Sequence, residues 1–510
     1  MSRRTRRLPR APRRSRTAGA RAALVCALAS ALLLTGLGVT VPASAATPVI
    51  RSFSVAEAGH PAPHRKKQHR RAATRHHAQK AKKPAMTKAS KASKRERHKH
   101  KHRRRHRPVW SPRDGTIFNY PFSPRIEDRF RVRRHILDAV KGSPRGSRIL
   151  LASFSFFDAK LARALIAAHR RGVTVQVLVN RKDANLSPPF QHLRKALGHS
   201  LRGHPRTARS RASFARTCAF SCRGSHGNLH AKIYLFSQVG HRRWVSMVGS
   251  ANLTKFAAEN QWNHLNTITG KPTYVRLRHV FDQMRRDHRQ RHPFEKFATP
   301  KTVTWVFPRL HTTVRQDPMM RILSRVDCQA APHTGIKVPV KHPKRKHQKH
   351  RHQHRQHHGI TRRTVIRISM YAWFDNRGDA LARAVRQKWN QGCDVRVVYS
   401  VLNGKVKRIL YDPSGRGRIP MRRSVVPDYL GHVTSYNHSK YVVVNGSFAG
   451  KGRRLVWTGS MNFTQLGLTS DDIIVRLAGR RVYHSYLANF RRVWHAPTAR
   501  IPLPTRPFTG

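Results

Sequence analysis

The chain has 510 residues and carries 104 Lys and Arg against 21 Asp and Glu, a net charge of +83. Its length allows two or three domains, and its charge favours polyanionic partners: nucleic acid, an anionic membrane or an anionic wall polymer. Beyond residue 45 no segment is long and apolar enough to cross a bilayer, which excludes a protein with several membrane spans.

The first 45 residues have the pattern of a signal peptide. An Arg-rich head precedes an apolar run from Ala22 to Val41, and Ala43 to Ala45 form a small-residue cleavage site. We therefore predict that residues 1–45 are a signal peptide, cleaved near Ala45, and that the mature protein is secreted. A retained membrane anchor is the alternative interpretation.

Two segments, 46–110 and 331–360, are dense in His, Lys and Arg and have no apolar periodicity. They cannot bury enough apolar surface to offset the entropy lost on ordering, so we predict that both are disordered. They either hold a polyanion or only solubilise the chain. A metal site at their histidines is disfavoured, because the neighbouring cationic side chains repel a metal ion.

The first structured region begins with a helix predicted over residues 125–140. An apolar, alternating run from Arg148 to Phe157 predicts a buried strand, Ala159 to His169 is typical of a helix, and Val173 to Val179 predicts another strand. This order is a β-α-β unit, whose two strands pair in parallel.

The same order recurs later in the chain. Thr364 to Phe374 predicts a strand, Asp379 to Trp389 a helix, and Asp394 to Ser400 a second strand. We therefore predict an internal duplication, with repeats at residues 111–330 and 361–510.

Each half also contains one short motif, H-x-K on a strand-like apolar run, followed about 20 residues later by G-S-x-N. Strand alternation places His and Lys on one face, and intervening turns predict a hairpin that returns G-S-x-N to the His. The motif side chains are His230, Lys232, Ser250 and Asn252 in the first half, and His438, Lys440, Ser460 and Asn462 in the second. An imidazole, an ammonium, a hydroxyl and an amide, with no repeated carboxylate or thiol, suit a bound phosphate.

Loss of Cys26 with the signal peptide would leave four cysteines. An even number in an oxidising compartment suggests two disulfides, with three possible pairings. The short spacing favours Cys218–Cys222, and Cys328–Cys393 would then tie the end of the first half to the second. A zinc site is the rival, but the spacing lacks a second close pair.

The paired motifs resemble those of the phospholipase D superfamily, the HKD phosphodiesterases, over the chain from Gly115 to the C-terminus. The resemblance implies an α/β fold of two tandem phospholipase D-like repeats, mixed β-sheets flanked by helices, packed as a pseudo-twofold pair around one active site. It also implies that His230 attacks phosphorus to form a phosphohistidine. His438 would protonate the leaving oxygen and then activate water.

The chemistry of the residues agrees with these roles, since an imidazole of ordinary pKa, about 6.5, can act as nucleophile or proton donor near pH 7. Lys232 and Lys440 would hold the non-bridging phosphate oxygens, and Asn252 and Asn462 would donate N–H groups to them. The serines of the two G-S-x-N motifs would lie beside them. These groups require no metal or cofactor.

The sequence departs from the family pattern in places. Where the family's H-x-K-x4-D motif has Asp, this chain has Ser237 and Asn445. The acid expected to orient the second motif's His is Asp472, whereas the first half offers Glu259 or Asn263 and leaves that partner open. A relative that has lost its activity is an alternative interpretation.

We therefore predict a secreted, monomeric phosphodiesterase of the phospholipase D type that cleaves a phospholipid headgroup, with the basic segments held on an anionic membrane. A secreted nuclease, with the same segments following a nucleic-acid backbone, is the first alternative. The second is a catalytically impaired protein that binds a polyanion or the cell wall.

Overall fold

The computed structural model describes residues 110–199, 212–310, 312–339, 360–428, 430, 432–497 and 499–500. These residues belong to one compact unit that spans 95–510. The predicted signal peptide, nearly all of the predicted basic segment at 46–110 and most of that at 331–360 lie outside the described residues.

The first repeat contains short strands and helices that alternate along the chain. Its strands are β1 (Gly115–Phe118), β2 (Arg148–Ser153), β3 (Thr174–Asn180), β4 (Phe214–Cys218), β5 (Ile233–Val239), β6 (Arg242–Gly249), β7 (Gln261–Trp262) and β8 (His264–Thr269). Its helices are α1 (Ile126–Arg129), α2 (Arg131–Lys141), α3 (Ala159–Arg170), α4 (Arg181–Ala184), α5 (Pro188–Leu197), α6 (Lys255–Glu259) and α7 (Lys271–Met284).

Seven of these strands form a mixed sheet in the order β1-β8-β6-β5-β2-β3-β4. The predicted β-α-β unit is β2-α3-β3, and β2, β3 and β4 run parallel. The other neighbours pair antiparallel, including the hairpin β5–β6. The predicted first helix is divided at Phe130 into α1 and α2.

The second repeat repeats this pattern with additional strands. Its strands are β9 (Glu295–Ala298), β10 (Val303–Val306), β11 (Val326–Asp327), β12 (Ile336–Pro339), β13 (Ile360–Arg363), β14 (Val365–Trp373), β15 (Asp394–Leu402), β16 (Met421–Pro427), β17 (Val433–Asn437), β18 (Lys440–Phe448), β19 (Lys451–Gly459), β20 (Ile473–Ala478) and β21 (Ala499–Arg500). Its helices are α8 (Pro318–Ser324), α9 (Asp375–Asn390), α10 (Gly404–Leu410), α11 (Gln465–Thr469) and α12 (Arg480–Trp494), besides a short 3-10 turn at Val314–Gln316.

The central order of the second sheet, β10-β20-β19-β18-β14-β15-β16, matches the first sheet strand for strand. This confirms the predicted fold of two tandem α/β repeats with mixed sheets. β9 and β10, which precede the predicted boundary at residue 330, pair within the second sheet. From this pairing we propose that the second repeat begins near Glu295. The ends of the predicted 331–360 insertion pair with each other as β12 and β13.

The hydrophobic core comprises a cluster within each repeat and two clusters that the repeats share. One shared cluster contains Ile233 and Val248 of the first repeat together with Ile473 and Val475 of the second. These four residues lie on β5, β6 and β20, so burial of apolar surface holds the H-x-K hairpin of the first repeat against the second repeat.

Both predicted disulfides, Cys218–Cys222 and Cys328–Cys393, are present. Cys328 follows β11, which pairs with β18, so its disulfide lies within the second repeat and does not tie the repeats together. Among the described residues, the one group with metal-ligand spacing is Cys218, Cys222 and Asp287, whose cysteines are oxidised. No helix in the described part of the chain is long and apolar enough to span a membrane.

Candidate active site

Both H-x-K motifs lie at the start of equivalent strands, β5 and β18. As predicted, each strand forms a hairpin with the next, which brings G-S-x-N back beside the His. The motif glycines permit this return, because a Cβ on Gly249 would lie 2.1 Å from the carbonyl oxygen of His264. A Cβ on Gly459 would lie 2.0 Å from the carbonyl oxygen of Ile473. Any larger residue would displace the strand that carries the next site residue.

His230 is held by Asp472, whose carboxylate oxygens lie 3.1 and 3.0 Å from Nδ1. Because a carboxylate only accepts, Nδ1 carries the proton and Nε2 keeps its lone pair. Asp472 is buried, and the His230 side chain is 18% exposed. The prediction that Asp472 orients His438 is therefore wrong: it orients the histidine of the other repeat.

His438 is held by Asn263, whose Oδ1 lies 3.1 Å from Nδ1. The Asn263 amide is fixed in this orientation because its Nδ2 donates to the Ala257 carbonyl oxygen and to Gln261 Oε1, each at 3.0 Å. His438 therefore also carries its proton on Nδ1 and is oriented by an uncharged acceptor. Asn263, one of the two residues that the sequence offered as a partner for His230, thus orients the histidine of the other repeat.

The exchange of partners follows from backbone pairing between the repeats. The amides of His230 and Ala231 donate to the Asp471 carbonyl oxygen at 2.9 and 2.7 Å, and the His438 amide donates to the Trp262 carbonyl oxygen at 3.1 Å. Each H-x-K strand thus begins against the loop of the other repeat. The residue that follows in that loop, Asp472 or Asn263, then reaches the imidazole.

The two motif serines bind these orienting residues. Ser250 Oγ donates to Asn263 Oδ1 at 2.8 Å, and Ser460 Oγ donates to Asp472 Oδ1. Each Oγ also accepts a backbone amide at the start of β8 or β20. The serines are fully buried, so we assign them to positioning; they do not lie beside the asparagines as phosphate ligands.

The motif asparagines, Asn252 and Asn462, occupy equivalent positions after the two hairpins. In each, Oδ1 is buried and has no hydrogen-bond partner among the described residues. Both residues are partly exposed as a whole. A buried amide oxygen without a partner is costly in a folded protein and is typical of functional sites.

Lys232 and Lys440 are both buried, and each Nζ donates to the carbonyl oxygen of its own motif histidine, at 2.6 and 2.5 Å. Each also lies over an aromatic ring at an equivalent position, Phe154 at 5.7 Å or Tyr371 at 4.7 Å. Burial lowers the pKa of Lys232 to about 7, although Asp472 opposes the shift. Burial and the charge of Lys232 hold the pKa of Lys440 well below its ordinary value.

Both histidines are affected in the same direction. Burial lowers the pKa of His230, with Asp472 opposing and the two lysines adding to the fall. Burial, the charges of Lys440 and Lys232, and His230 itself hold the pKa of His438 well below its ordinary value. These mutual effects place four basic groups within electrostatic range of one another, with the carboxylates of Asp472 and Asp183 both acting on Lys232. An anion entering the site would restore their protonated forms.

Two features near the site were not predicted from the sequence. The aromatic stretch containing Phe154 resembled core, yet its ring lies 5.6 Å from that of His230, in a T-shaped arrangement. Arg223 and Asp471 form a fully buried ion pair next to Asp472. The adjacent Asp471 and Asp472 in the sequence indicated two carboxylates near this site. Only the folded structure shows that Asp471 pairs with Arg223, which lies on a loop of the first repeat.

The two residues in place of the family's motif Asp lie further along their strands. Ser237 Oγ accepts the Arg148 amide at 2.8 Å, and Asn445 Nδ2 donates to Tyr483 Oη at 3.4 Å. Their partners belong to strands and helices of their own repeats. This supports a structural role at these positions.

A duplicated α/β fold with an H-x-K motif at the start of each equivalent strand defines a two-repeat phosphodiesterase class. The sequence matches the family described as cardiolipin synthase, PLD-like domain, over residues 138–285 and 359–494, more than half of the chain. The chain therefore belongs to the phospholipase D superfamily, whose members act on phosphodiester bonds.

Several solved structures are similar at low identity. Polyphosphate kinase from Porphyromonas gingivalis is 12% identical with a TM-score of 0.44, and the match covers 75% of this chain and 50% of the kinase, so this chain spans about half its length. Phosphatidylserine synthase from Haemophilus influenzae Rd KW20 is 10% identical with a TM-score of 0.44, covering 76% of this chain and 87% of the synthase. Nuc from Salmonella typhimurium, a phospholipase D family member, is 18% identical with a TM-score of 0.25, covering 35% of this chain and all of Nuc. A comparison with curated protein sequences gave no match.

Proposed function

We propose that this protein is a phosphodiesterase in which His230 is the nucleophile. The observation that carries the proposal is the hydrogen bond from His230 Nδ1–H to Asp472. The carboxylate fixes the tautomer that leaves Nε2 free to attack, and it stabilises the positive charge that develops on the ring. His438 has an amide in the same position, so the carboxylate distinguishes the two roles.

In the first step, His230 Nε2 forms a bond to phosphorus, the bond from phosphorus to the leaving oxygen breaks, and protonated His438 gives its proton to that oxygen. Its uncharged partner, Asn263, stabilises the imidazolium less than a carboxylate would, so the proton is released readily. In the second step, water attacks phosphorus, the P–N bond breaks, and neutral His438 takes the proton from the water.

The lysines and asparagines of the motifs act on the phosphate oxygens in this proposal. Lys232 and Lys440 are already desolvated, so they interact strongly with charge on the phosphoryl group. The substrate's negative charge raises the pKa of both, and binding is therefore accompanied by proton uptake. Asn252 and Asn462 donate N–H groups to the same oxygens. No step of this scheme uses a metal or cofactor.

We further propose a phospholipid as the substrate, because exposed apolar side chains lie at the end of the sheet where His230 lies. Ala152, near the end of β2, pairs with Ile233, beside His230. Phe157, Leu186 and Phe220 follow β2, β3 and β4 at this same edge and are 36%, 59% and 57% exposed. Exposed apolar side chains near a site favour contact with a lipid surface.

A nuclease is the second candidate, supported by the net charge of +83, which suits a nucleic-acid backbone as well as an anionic membrane. In both cases we propose that the protein is secreted and monomeric. The two disulfides support an oxidising compartment.

The decisive experiment compares purified protein on phosphatidylcholine vesicles, plasmid DNA and bis(p-nitrophenyl) phosphate, with His230→Ala and His438→Ala as controls. Release of headgroup from vesicles, lost in both variants, supports the lipid proposal, and cleavage of DNA alone supports the nuclease. Cleavage of the small diester alone would support the chemistry and leave the substrate open. Activity that survives in both variants, or no activity on any substrate, would contradict the assignment.

A further inference from the structure

Asp471, the neighbour of Asp472, is a buried carboxylate held by one loop of the first repeat. Its Oδ2 accepts Ser221 Oγ at 2.9 Å and the Cys222 amide at 2.5 Å, and its Oδ1 accepts Arg223 Nε at 3.1 Å. Asp471 and Arg223 are fully buried. A buried carboxylate needs such donors, so the position of this loop fixes the position of Asp471.

The main chain of Asp471 in turn positions the nucleophile. Its carbonyl oxygen accepts the amides of His230 and Ala231, at 2.9 and 2.7 Å. The next residue, Asp472, accepts His230 Nδ1–H. Both the backbone and the ring of His230 are therefore anchored to a dipeptide that the loop holds.

Arg223 also supports Asp472 from the other side. Its Nη2 donates to the Phe307 carbonyl oxygen at 2.7 Å, and the Phe307 amide donates to the Asp472 carbonyl oxygen at 2.9 Å. A third bond, from Nη1 to Gln283 Oε1 at 2.7 Å, fixes the guanidinium against α7. One arginine thus connects to both carboxylate residues of the dipeptide.

In the described part of the chain, the second motif has no equivalent of this support. The position that corresponds to Asp471 is Trp262, whose ring packs against Tyr120 and Phe122 at centroid distances of 5.1 and 6.0 Å. Apolar packing therefore supports Asn263 and His438. Among the residues that the structure describes, this ionic support therefore serves the histidine that we propose as the nucleophile.

The disulfide Cys218–Cys222 closes the loop that supplies these donors. Cys218 is the last residue of β4, and the amide of Cys222 is itself one of the three donors to Asp471. Without the bridge, the residues between them regain backbone freedom, and their hydrogen bonds to the buried carboxylate must hold the loop alone.

We propose that the Cys218–Cys222 loop, through Arg223 and Asp471, is the positioning device for His230, and that the activity depends on this disulfide. The inference rests on the proposed function. In the oxidising step, the two thiols lose two electrons and two protons to a disulfide oxidant, through a mixed disulfide, and the oxidant leaves as a dithiol. A chain folded in a reducing compartment is therefore a poor catalyst, and export to an oxidising compartment activates it.

The test uses the full chain and a diester that the wild type cleaves. We expect Cys218→Ala/Cys222→Ala and Arg223→Met each to lower kcat about 10- to 100-fold, with KM within about twofold, because a displaced nucleophile slows the chemical step. The matched control is Cys328→Ala/Cys393→Ala, whose disulfide closes a loop of 65 residues against 4 for the other. The control should lose more stability and keep its kcat, which separates positioning from general destabilisation.

The pH profile provides a readout that a merely structural role would not change. His230 faces Asp472, Lys232, Lys440 and His438, of which only Asp472 favours its protonated form. A displaced Asp472 therefore moves the acid limb of kcat/KM, which reports protonation of His230 in the free enzyme, to lower pH. The milder Ser221→Ala variant, which removes one donor to Asp471, should show the same shift to a smaller extent.

Loss of kcat in the control disulfide variant as well, or an unchanged kcat and acid limb in Arg223→Met, would overturn the inference. Either result leaves the proposed function intact if the wild type is active and His230→Ala is not. A wild type without activity on any diester contradicts the proposed function instead. If Arg223→Met does not fold, Ser221→Ala and the cysteine variants decide the question.

Discussion

Replacement of Lys232 by Met should stabilise the protein while abolishing its activity. Lys232 is fully buried, and burial lowers its pKa from 10.5 to about 7. At 1.36 kcal/mol per pH unit, this fall corresponds to about 5 kcal/mol of folding free energy lost to keeping the ammonium charged. Methionine fills a similar volume and has no charge, so the variant avoids this cost.

Part of the gain is offset, because the variant also loses the hydrogen bond from Nζ to the His230 carbonyl oxygen. Hydrogen bonds from charged groups contribute about 1.5–3 kcal/mol, so we expect a net stabilisation of about 2–3 kcal/mol at pH 7.

The dependence of this stabilisation on pH follows from the linkage between proton binding and folding. Between about pH 7 and 10.5 the unfolded chain binds the lysine's proton and the folded chain does not, so the wild type gains stability as pH rises.

The assay is urea unfolding followed by far-ultraviolet circular dichroism at several pH values from 6 to 10. The difference between Lys232→Met and wild type should be largest at pH 7 and below, and it should shrink as pH rises towards 10.5. Lys255→Met, at an exposed position after the first G-S-x-N motif, is the matched control and should change stability by less than about 0.5 kcal/mol. A variant less stable than wild type at pH 7, or a difference independent of pH, would refute the reasoning.

Three further predictions concern the orienting residues and the hairpin. Asp472→Asn should lower the rate of phosphohistidine formation at His230 at least about 100-fold, measured by rapid quench, with unchanged circular dichroism. Asn263→Asp should place a carboxylate beside His438 and raise its pKa, so the basic limb of kcat should move to higher pH in a rate profile. Gly459→Ala should destabilise the fold by at least about 2 kcal/mol in thermal unfolding, because its Cβ would lie 2.0 Å from a carbonyl oxygen of the facing strand. Phosphohistidine formation at the wild-type rate in Asp472→Asn would contradict the first prediction. An unchanged basic limb of kcat in Asn263→Asp would contradict the second, and an unchanged melting temperature in Gly459→Ala would contradict the third.

The fold could be predicted largely from the sequence, because both the strand-helix-strand order and the H-x-K motif occur twice. The strand-helix-strand order and the two hairpins depend on local alternation, which the sequence shows directly. The strands β9 and β10 were not predicted, because they are four residues each and carry no motif. Their membership in the second sheet depends on pairing with β20, far along the chain.

The hairpins that return G-S-x-N to each H-x-K strand were also predictable, but the hydrogen-bond partners of the two histidines were not. Those partners are exchanged between the repeats. Sequence proximity pointed to Asp472 as the partner of the nearer histidine, His438. The exchange results from backbone pairing of each H-x-K strand with the loop of the other repeat, which no local pattern encodes.

The exchange has a chemical consequence, because the repeated motifs alone are symmetric and do not assign a nucleophile. The asymmetry lies outside them, where one repeat supplies Asp472 and the other supplies Asn263. A carboxylate favours the protonated form of its histidine and an amide does so less, so the two imidazoles acquire different proton affinities. Under the proposed mechanism, this one difference between the repeats is enough to divide the roles of the two histidines, because each repeat acts on the motif of the other.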